Sequence, residues 1–262
     1  DQDAAIPKMT TEDRDYILKV IRFMFPEVNV TEKDIESSWA GVRPLIWEEG
    51  KDPSEISRKD EIWESKSGLI TIAGGKLTGY RKMAETITDL VALKLKEGYG
   101  LTYSGCQTKN LPISGGNVGG SAKFAQFLSE QTKAGQVIGL TENEASLLAS
   151  KYGSNVPALF EIVKEGREQA NRYQMPITLF AQLQYALEHE MAATPIDFFN
   201  RRTGAILFDI ALVRKYQDNV IQYMADYFDW SKGQKGQYKQ ELELALLDAS
   251  VPADEQRKER LG

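Results

Sequence analysis

Residues 69–81 read LITIAGGKLTGYR, and this stretch decides the fold of the first part of the chain. Its first five residues are mostly apolar or β-branched and predict a strand, which Gly74 and Gly75 end. Residues 80–97 then repeat apolar side chains with the period of a helix. A double glycine at a helix start lets backbone N–H groups approach a ligand closely, and the helix dipole favours an electron-rich or anionic group there. The alternative is a tight turn whose glycines serve only backbone geometry, since short glycine motifs often bind nothing.

The sequence before this stretch predicts a mixed α+β arrangement. Residues 11–25 form an amphipathic helical pattern that begins after Thr10, a residue type favoured at helix N-caps, and ends at Pro26. Residues 60–63 and 68–73 read as two short strands joined by a turn. We therefore expect one helix and a strand pair ahead of the helix that follows the glycines.

The sequence after this stretch predicts a separate helical domain. Residues 98–120 are rich in Gly, Ser, Thr and Asn, the composition of a surface connection. We place the boundary there, with one domain over residues 1–110 and an all-helical domain over residues 111–262. Helical patterns in the second domain occupy residues 121–132, 142–152, 156–165, 179–191, 208–228 and 237–248.

Composition and charge argue against several classes of function. The 262 residues carry a formal net charge of -6 and a pI near 5.1, without the basic surface that nucleic-acid phosphates demand. The single cysteine, Cys106, cannot form an internal disulfide, and with His189 as the one histidine a zinc site lacks ordinary ligands. No stretch approaches the roughly 18 apolar residues of a spanning helix. We expect no metal, no nucleic-acid partner and a protein that is soluble or at most peripheral to a membrane.

Two arginines indicate an anionic partner. Residues 37–45 read SSWAGVRPL and place Arg43 inside an apolar run, immediately before a proline. A buried guanidinium is costly unless it meets a carboxylate or phosphate, which it binds through a bidentate fork. A structural ion pair with a nearby glutamate is the commoner arrangement when such an arginine stands alone. Arg58 stands at the start of the next strand; alone it reads as a solvated charge, but it could converge on the same place as Arg43.

Other residues that attract notice fit structural roles better. His189 lies in a helical pattern far along the sequence from the glycine turn, and it fits a surface residue better than a catalyst. A set of aromatic residues at helical spacing fits a core or an interface better than a cofactor site. Its members are Tyr216, Tyr223, Tyr227, Phe228 and Trp230.

Taken in order, several segments resemble FAD-dependent glycerol-3-phosphate dehydrogenases and the related alpha-glycerophosphate oxidases. They are WAGVRPL at residues 39–45, the pair Ser57-Arg58 before a strand, and GGKLTGYRKMAE at residues 74–85. In the helical part, EMAATPIDFFNRRT at residues 190–203 is similar to a segment shared by the Gram-positive, Bacillus-like members. The resemblance is to the C-terminal portion of these flavoproteins and covers nearly the whole chain.

This resemblance implies roles for the matching residues. Arg43 and Arg58 would bind the substrate phosphate, and Lys76 would lie beside both flavin and substrate, as the candidate catalytic residue of this chain. The contacts to the isoalloxazine ring of FAD would come from Gly74, Gly75, Lys76, Leu77 and Thr78. Gly79 departs from the family pattern, in which many members have a threonine, so no hydroxyl role is assigned there. Residues 1–110 would form the C-terminal part of the FAD and substrate domain.

The resemblance also implies an activity. The flavin would take a hydride from C2 of sn-glycerol 3-phosphate, giving dihydroxyacetone phosphate, and electrons would pass to a quinone. The alternative within the family is an oxidase that uses O2 and produces H2O2. Streptococcal-type oxidases carry an inserted segment between the two arginine regions, and because only 14 residues separate Arg43 from Arg58, the dehydrogenase is favoured. The alternative outside the family is a stand-alone helical interaction module. A cytoplasmic location, peripheral contact with the inner face of the membrane and a homodimer are further implications.

One part of the family's flavin site is expected outside this sequence. No strand runs into a G-x-G-x-x-G fingerprint followed by an acidic residue about 20 positions on, the pattern that binds the ADP half of a dinucleotide. We therefore expect the ADP half of FAD and the catalytic base to be held by another part of a longer protein. The chain alone is expected to be inactive.

Overall fold

The computed structural model describes residues 5–42, 60–74 and 76–256, which form two compact units. The first, called here the helical unit, comprises residues 5–41 and 115–256. The second, called the strand–helix unit, comprises the described residues from 42 to 114. The described chain is mostly helical with one small sheet, so the expected α+β class is confirmed in this coarse form.

The regular elements follow one another in a simple order. The helical unit contains α1 (Thr11–Met24), α3 (Ser121–Val137), α4 (Glu142–Tyr152), α5 (Val156–Glu165), α6 (Arg167–Arg172), α7 (Ile177–His189), α8 (Ala205–Phe208), α9 (Ile210–Tyr227) and α10 (Lys232–Ser250). The strand–helix unit contains β1 (Glu61–Glu64), β2 (Ile70–Ala73) and α2 (Tyr80–Tyr99). A π-helical turn, Asp197–Arg202, precedes α8. Among the described helices, none combines the length and the apolar character needed to cross a membrane.

Helix α1 begins where the sequence predicts. The hydroxyl of Thr10 accepts a hydrogen bond from the N–H of Asp13, and the carboxylate of Asp13 accepts one from the N–H of Thr10, at 3.0 Å. This reciprocal capping box satisfies two N–H groups that have no acceptor inside the helix. The helix ends at Met24, two residues before Pro26.

Residues 5–41 pack with the helical unit, although the sequence analysis grouped them with the first domain. Lys8 forms an ion pair with Asp248 at 2.7 Å, and Arg14 forms one with Glu255 at 2.9 Å. These partners lie more than 200 positions away, so no local pattern could reveal them. By their contacts, residues 5–41 therefore belong to the helical unit, and the functional division of the chain near residue 110 stays a prediction.

The two strands form an antiparallel hairpin close to the predicted positions. Glu61 pairs with Ala73 at one end of the ladder. The connecting turn closes with the N–H of Gly68 donating to the carbonyl of Ser65 at 3.0 Å, and Gly68 has a φ of 82° that a side chain would strain. All residues of β1 are exposed. Residues 38–42, the described part of the apolar run that leads to Arg43, contain no strand.

The core of the helical unit consists of two adjoining clusters of buried apolar residues, one around α7, α9 and α10 and one around α3 to α5. The largest side chains that are fully buried include Phe180, Phe198, Phe199, Leu148, Leu159 and Leu183. Gly135 of α3 lies so near Ala145 of α4 that a Cβ at position 135 would be 2.5 Å from the Cβ of Ala145. The small residue therefore permits the close approach of the two helices. The described residues beyond 120 contain no strand, as the sequence predicts.

Candidate functional site

The candidate site is the turn that joins β2 to α2. Strand β2 ends at Ala73, and Gly74 then adopts a φ of 95°, a backbone conformation that L side chains rarely adopt. Lys76 is extended, with φ and ψ of -125° and 150°. A single 3-10 turn, Leu77–Gly79, follows and is closed by the N–H of Gly79 donating to the carbonyl of Lys76 at 2.8 Å. The predicted strand, glycine turn and helix start are thus present in the predicted order.

The side chains of this turn lie open to solvent. Lys76 and Thr78 are exposed, and the side chain of Leu77 is 92% exposed. The first N–H groups of a helical segment have no acceptor inside it and carry the positive end of the helix dipole. The turn therefore offers N–H donors, an apolar side chain and an ammonium group on one short segment, a set suited to a flat, electron-rich ring.

The predicted site residues divide into two groups. Gly74, Lys76, Leu77 and Thr78 lie together in this turn, within five positions of sequence. Arg43, Arg58 and Gly75 lie outside the described residues. Their predicted convergence with Lys76 on one anionic group therefore stays a prediction.

The first turns of α2 carry charges that are paired within the unit. Glu85 accepts from Arg81 at 2.8 Å and lies 3.0 Å from the Lys82 ammonium. Hydrogen bonds from Lys82 and Arg81 lower the pKa of the Glu85 carboxyl. Arg81 also donates to the hydroxyl of Thr108 at 3.2 Å. Because these contacts engage Arg81 within the unit, Lys76 is the better candidate for contact with a ligand at this turn.

A cavity of about 830 Å³ lies between α2 and the segment 103–113. Tyr80, Ala84, Val91, Tyr103 and Cys106 are among its lining residues. The far wall of this cavity is irregular chain without a periodic pattern, so the sequence does not indicate the cavity.

The helical unit also contains a polar cluster that the sequence does not indicate, formed by Lys151, Glu190 and Arg202. Burial raises the pKa of the Glu190 carboxyl, and partial burial of the ammonium lowers the pKa of Lys151. The guanidinium of Arg202 donates through Nε to the carbonyl of Glu190 at 2.8 Å. His189 is exposed and its ring lies 4.7 Å from that of Tyr185, in agreement with the predicted surface position. The spacing of residues in the sequence does not indicate this cluster, because Lys151 lies in α4 whereas Glu190 follows α7.

The aromatic residues of α9 and the turn after it are largely structural, as predicted. Tyr223 is buried and packs edge-on against Phe180 with a centroid separation of 5.1 Å. Tyr227 and Phe228 form an edge-on pair at 4.9 Å and remain partly exposed. Within the described residues, no group of three or more His, Cys, Asp and Glu side chains could hold a metal ion.

Comparison with known proteins places these observations in a family. Residues 106–235 match the family model described as the C-terminal domain of alpha-glycerophosphate oxidase. The chain is 55% identical over 249 residues to the aerobic glycerol-3-phosphate dehydrogenase of Bacillus subtilis (strain 168), covering 95% of this chain and 45% of that protein. It is 53% identical over 243 residues to the aerobic glycerol-3-phosphate dehydrogenase of Staphylococcus aureus (strain bovine RF122 / ET3-1), covering 93% of this chain and 43% of that protein.

A solved structure shares the fold. The chain resembles the glycerol-3-phosphate dehydrogenase of Bacillus halodurans, whose X-ray structure is a complex with FAD, with a TM-score of 0.86 and 45% identity. The match covers 97% of this chain and 48% of the solved chain. The chain thus spans about half the length of the proteins it matches. Residues 106–235 thus match the C-terminal domain of alpha-glycerophosphate oxidase, and nearly the whole chain is similar to the C-terminal portion of the aerobic glycerol-3-phosphate dehydrogenases, which confirms the resemblance that its motifs indicate.

Proposed function

We propose that this chain serves as the C-terminal portion of an FAD-dependent glycerol-3-phosphate dehydrogenase, which oxidises sn-glycerol 3-phosphate to dihydroxyacetone phosphate. The observation that carries the proposal is the turn after β2, where Gly74 has a positive φ and Lys76 is exposed at the start of a helix. The names of the relatives from Bacillus subtilis and Staphylococcus aureus support the substrate. The FAD in the Bacillus halodurans structure supports the cofactor.

The described residues fit one edge of a flavin. Gly74 has a positive φ and no side chain, so a ring could approach its backbone closely, and the N–H groups at the start of the 3-10 turn could donate to an electron-rich ring edge. Leu77 offers an apolar surface against the ring. When bound, FAD accepts a hydride, while the protein binds, orients and excludes water. The turn supplies only part of such a site, since the dinucleotide fingerprint is absent from this sequence.

The substrate phosphate is assigned to Arg43 and Arg58, with Lys76 beside the reacting part of the substrate. Two guanidinium groups can bind a phosphate through planar, bidentate hydrogen bonds, and the phosphate is the one strongly anionic group of the substrate. The ammonium of Lys76 would add a positive charge near the flavin edge. Three cations in one place repel one another unless an anion joins them, so this arrangement favours an anionic substrate over a neutral polyol.

Exposed apolar faces support the view that further protein covers this chain in the working enzyme. Phe23 on α1 is 83% exposed, and Ile17 and Val20 on the same helix are exposed as well. None of the residues of α2 is buried, although its apolar residues repeat with helical period. Apolar surfaces of this kind are unusual on a stand-alone soluble protein and mark sites of contact. They favour part of a larger enzyme over a self-contained module.

The proposal is tested on two proteins, this chain alone and a full-length enzyme in which the chain follows the N-terminal portion of a relative. The full-length enzyme should be yellow and should oxidise glycerol 3-phosphate with an artificial electron acceptor. The chain alone should bind no FAD and show no activity. A full-length enzyme that binds FAD but does not oxidise glycerol 3-phosphate would contradict the proposed substrate, and stable FAD binding by the chain alone would contradict the division of the cofactor site.

We propose that the electron acceptor is a quinone. A cytoplasmic enzyme would reach the quinone by peripheral contact with the membrane. We also expect the enzyme to be a homodimer. The 14 residues between Arg43 and Arg58 support the dehydrogenase over the oxidase. Measuring H2O2 release and quinone reduction by the same full-length enzyme separates the two. If the enzyme releases stoichiometric H2O2 at a higher rate than it reduces quinone, the dehydrogenase proposal is contradicted and the oxidase is supported.

A further inference from the structure

The hydrogen-bond pattern of the hairpin formed by β1 and β2 fixes which of its backbone groups point outward. In an antiparallel pair, opposite residues alternate between pairs that exchange hydrogen bonds and pairs that exchange none. The N–H of Ser65 donates to the carbonyl of Leu69 at 2.9 Å, so these two residues belong to the bonded kind. The next pair along the ladder, Glu64 with Ile70, is therefore not bonded, and neither is the pair two positions further on. The N–H and C=O groups of these unbonded pairs point away from the partner strand.

These outward groups form the two edges of the hairpin. The outer edge of β2 consists of the N–H and C=O groups of Ile70 and Ile72, and the outer edge of β1 consists of those of Ile62 and Glu64. The described sheet has only these two strands, and no described residue outside the hairpin forms a hydrogen bond with either edge. Within the described part of the chain, both edges therefore offer donors and acceptors to a further strand.

The side chains of the two strands differ in charge. Strand β1 begins with Glu61 and ends with Glu64, and the ammonium of Lys94 on α2 lies 2.7 Å from the Glu64 carboxylate. Strand β2 reads Ile-Thr-Ile-Ala and carries no charge. Charged side chains are typical of strands at the edge of a sheet, whereas uncharged, β-branched runs are typical of strands inside a sheet. Strand β1 therefore suits a sheet edge, and β2 suits a place between two strands.

The described part of the strand–helix unit leaves β2 uncovered. None of the four residues of β2 is buried, and Leu69, which leads into it, is 66% exposed. A two-stranded hairpin is at best marginally stable in water, and it needs a further strand or a covering helix to be stable. Helix α2 contributes the ion pair of Lys94 with Glu64, but none of the residues of α2 is buried. The hairpin thus has the features of a sheet from which at least one strand is missing.

The occupant that fits the outer edge of β2 is a strand from the N-terminal portion of the longer enzyme. The match covers 45% of the Bacillus subtilis relative and 48% of the solved Bacillus halodurans chain, so more than half of each lies outside it. Under the proposed function, that portion holds the ADP half of FAD, while the turn after β2 contacts the flavin ring. Because Gly74 directly follows the last residue of β2, a strand beside β2 brings that portion to the flavin end of the cofactor. A second copy of this chain fits less well, since it brings no dinucleotide fingerprint.

We infer that, in the full-length enzyme, the outer edge of β2 pairs with a strand of the N-terminal portion, and that this pairing assembles the flavin site. The inference rests on the proposed function, which divides the FAD site between the two portions. Main-chain hydrogen bonds from Ile70 and Ile72 hold the added strand, as in other cases where a strand joins an exposed sheet edge. Strand β1 remains at the edge of the enlarged sheet.

The first test is amide hydrogen exchange of the full-length enzyme, resolved to single residues. The N–H groups of Ile70 and Ile72 should exchange about 100-fold or more slowly than those of Ile62 and Glu64, because only the edge of β2 gains hydrogen bonds. The amides of β1 are the matched control, since they occupy the opposite positions of the same ladder. Equal exchange at the two edges would overturn the inference, as would protection of β1 alone. Protection of β2 that is lost when the enzyme is diluted to monomers would assign the edge to a second copy and would also overturn it.

The second test compares Ile72→Pro with Ile62→Pro in the full-length enzyme. The two isoleucines lie opposite each other in the ladder, and each proline removes one outward N–H. Proline is tolerated at a sheet edge whose N–H faces solvent, so Ile62→Pro should keep the affinity for FAD of the wild type. Ile72→Pro should weaken FAD binding by about 10-fold or more, because it removes a donor from a paired strand. Ile72→Ala, which keeps the N–H, should weaken it less than Ile72→Pro. Equal FAD affinity of the two proline variants would contradict the inference, and if Ile72→Pro does not fold, the exchange rates of the wild type decide.

The outcomes separate this inference from the proposed function. If the full-length enzyme binds FAD and oxidises glycerol 3-phosphate while Ile70 and Ile72 exchange as fast as Ile62 and Glu64, the inference alone fails. If Ile70 and Ile72 are protected but the enzyme binds no FAD or does not oxidise glycerol 3-phosphate, the proposed function fails.

Discussion

The backbone of Gly153 passes so close to that of Gly115 that neither position has room for a side chain. A Cβ on Gly153 would lie 2.0 Å from the carbonyl oxygen of Gly115, and one on Gly115 would lie 2.8 Å from the carbonyl oxygen of Tyr152. The N–H of Ser154 donates to the same Gly115 carbonyl at 2.9 Å. This contact holds Gly115, where the chain enters the helical unit, against the turn between α4 and α5.

We expect Gly153→Ala to destabilise the protein by about 2–3 kcal/mol. The added Cβ meets backbone rather than a flexible side chain, and the φ of 52° at position 153 is strained for alanine. Urea unfolding followed by circular dichroism measures the change. Gly236→Ala serves as the control, because position 236 is exposed within α10 with open space around its Cβ. That variant should be stabilised by about 0.5–1 kcal/mol. Equal effects of the two substitutions would show that the contact at Gly153 is unimportant.

Sequence patterns located helices best where a cap accompanies the apolar period. Helix α4 has the predicted bounds because Thr141 and Glu144 form a capping box that can be read from the residues alone. Helix α10 begins at Lys232, five residues before its predicted start, where Ser231 and Gln234 form a capping box. The two glycines in its first turns interrupt the apolar pattern, so the sequence places the start too late. The short helices α6 and α8 and the π-helical turn before α8 were not predicted, since four to six residues are too few for a period.

The candidate site was predictable only in its local part. The strand, the positive φ at Gly74 and the helix start follow from residues that are neighbours in sequence. The anchoring of Ser38 by Ala249 could not be predicted, because the two residues are separated by 211 positions and meet only through tertiary packing. The same holds for the cluster of Lys151 and Glu190, whose pKa changes depend on burial.

Asp197 should make the stability of the protein depend on pH below about 4. Burial acts to raise the pKa of this carboxyl, but hydrogen bonds from Thr194, Ala193 and Arg201 outweigh it and hold the pKa below the usual 3.8. A carboxyl with a lowered folded-state pKa stabilises the protein above its unfolded pKa and loses that contribution as pH falls through the folded pKa. Asp197→Asn should therefore cost about 1 kcal/mol at pH 7 and less at pH 3.

The measurement is urea unfolding of the wild type and Asp197→Asn at several pH values between 2.5 and 7. Thr194→Val, which removes the hydroxyl donor to Asp197 while keeping its N–H, should show an intermediate dependence on pH. A difference between wild type and Asp197→Asn that is the same at pH 3 and pH 7 would contradict the assignment of the lowered pKa.

Arg14 should stabilise the docking of α1 more than the fold of the remaining helices. Its guanidinium lies 2.9 Å from Glu255 and 3.5 Å from Glu32, and its side chain is only 13% exposed. Because the acidic partners are substantially exposed, the pairs are screened, and we expect Arg14→Gln to cost only about 1 kcal/mol. Hydrogen exchange should quicken in α1 and stay unchanged in α4 and α5. Lys164→Gln, which removes an exposed pair with Glu161 inside α5, is the control and should change neither. Faster exchange throughout the helical unit would contradict a local role.

The last prediction concerns Arg43→Lys in the full-length enzyme. If Arg43 binds the substrate phosphate through a bidentate fork, lysine keeps the charge but loses the planar pair of donors, and kcat/KM should fall by about one to three powers of ten. Because the phosphate is remote from the reacting carbon, its binding energy positions C2 against the flavin, so the loss should appear in kcat as well as in KM. Flavin content and Tm should not change. A structural ion pair at Arg43 gives the opposite pattern, with lowered Tm or lost flavin and near-normal turnover per bound flavin. Steady-state kinetics normalised to flavin absorbance therefore decide between a substrate-binding and a structural role.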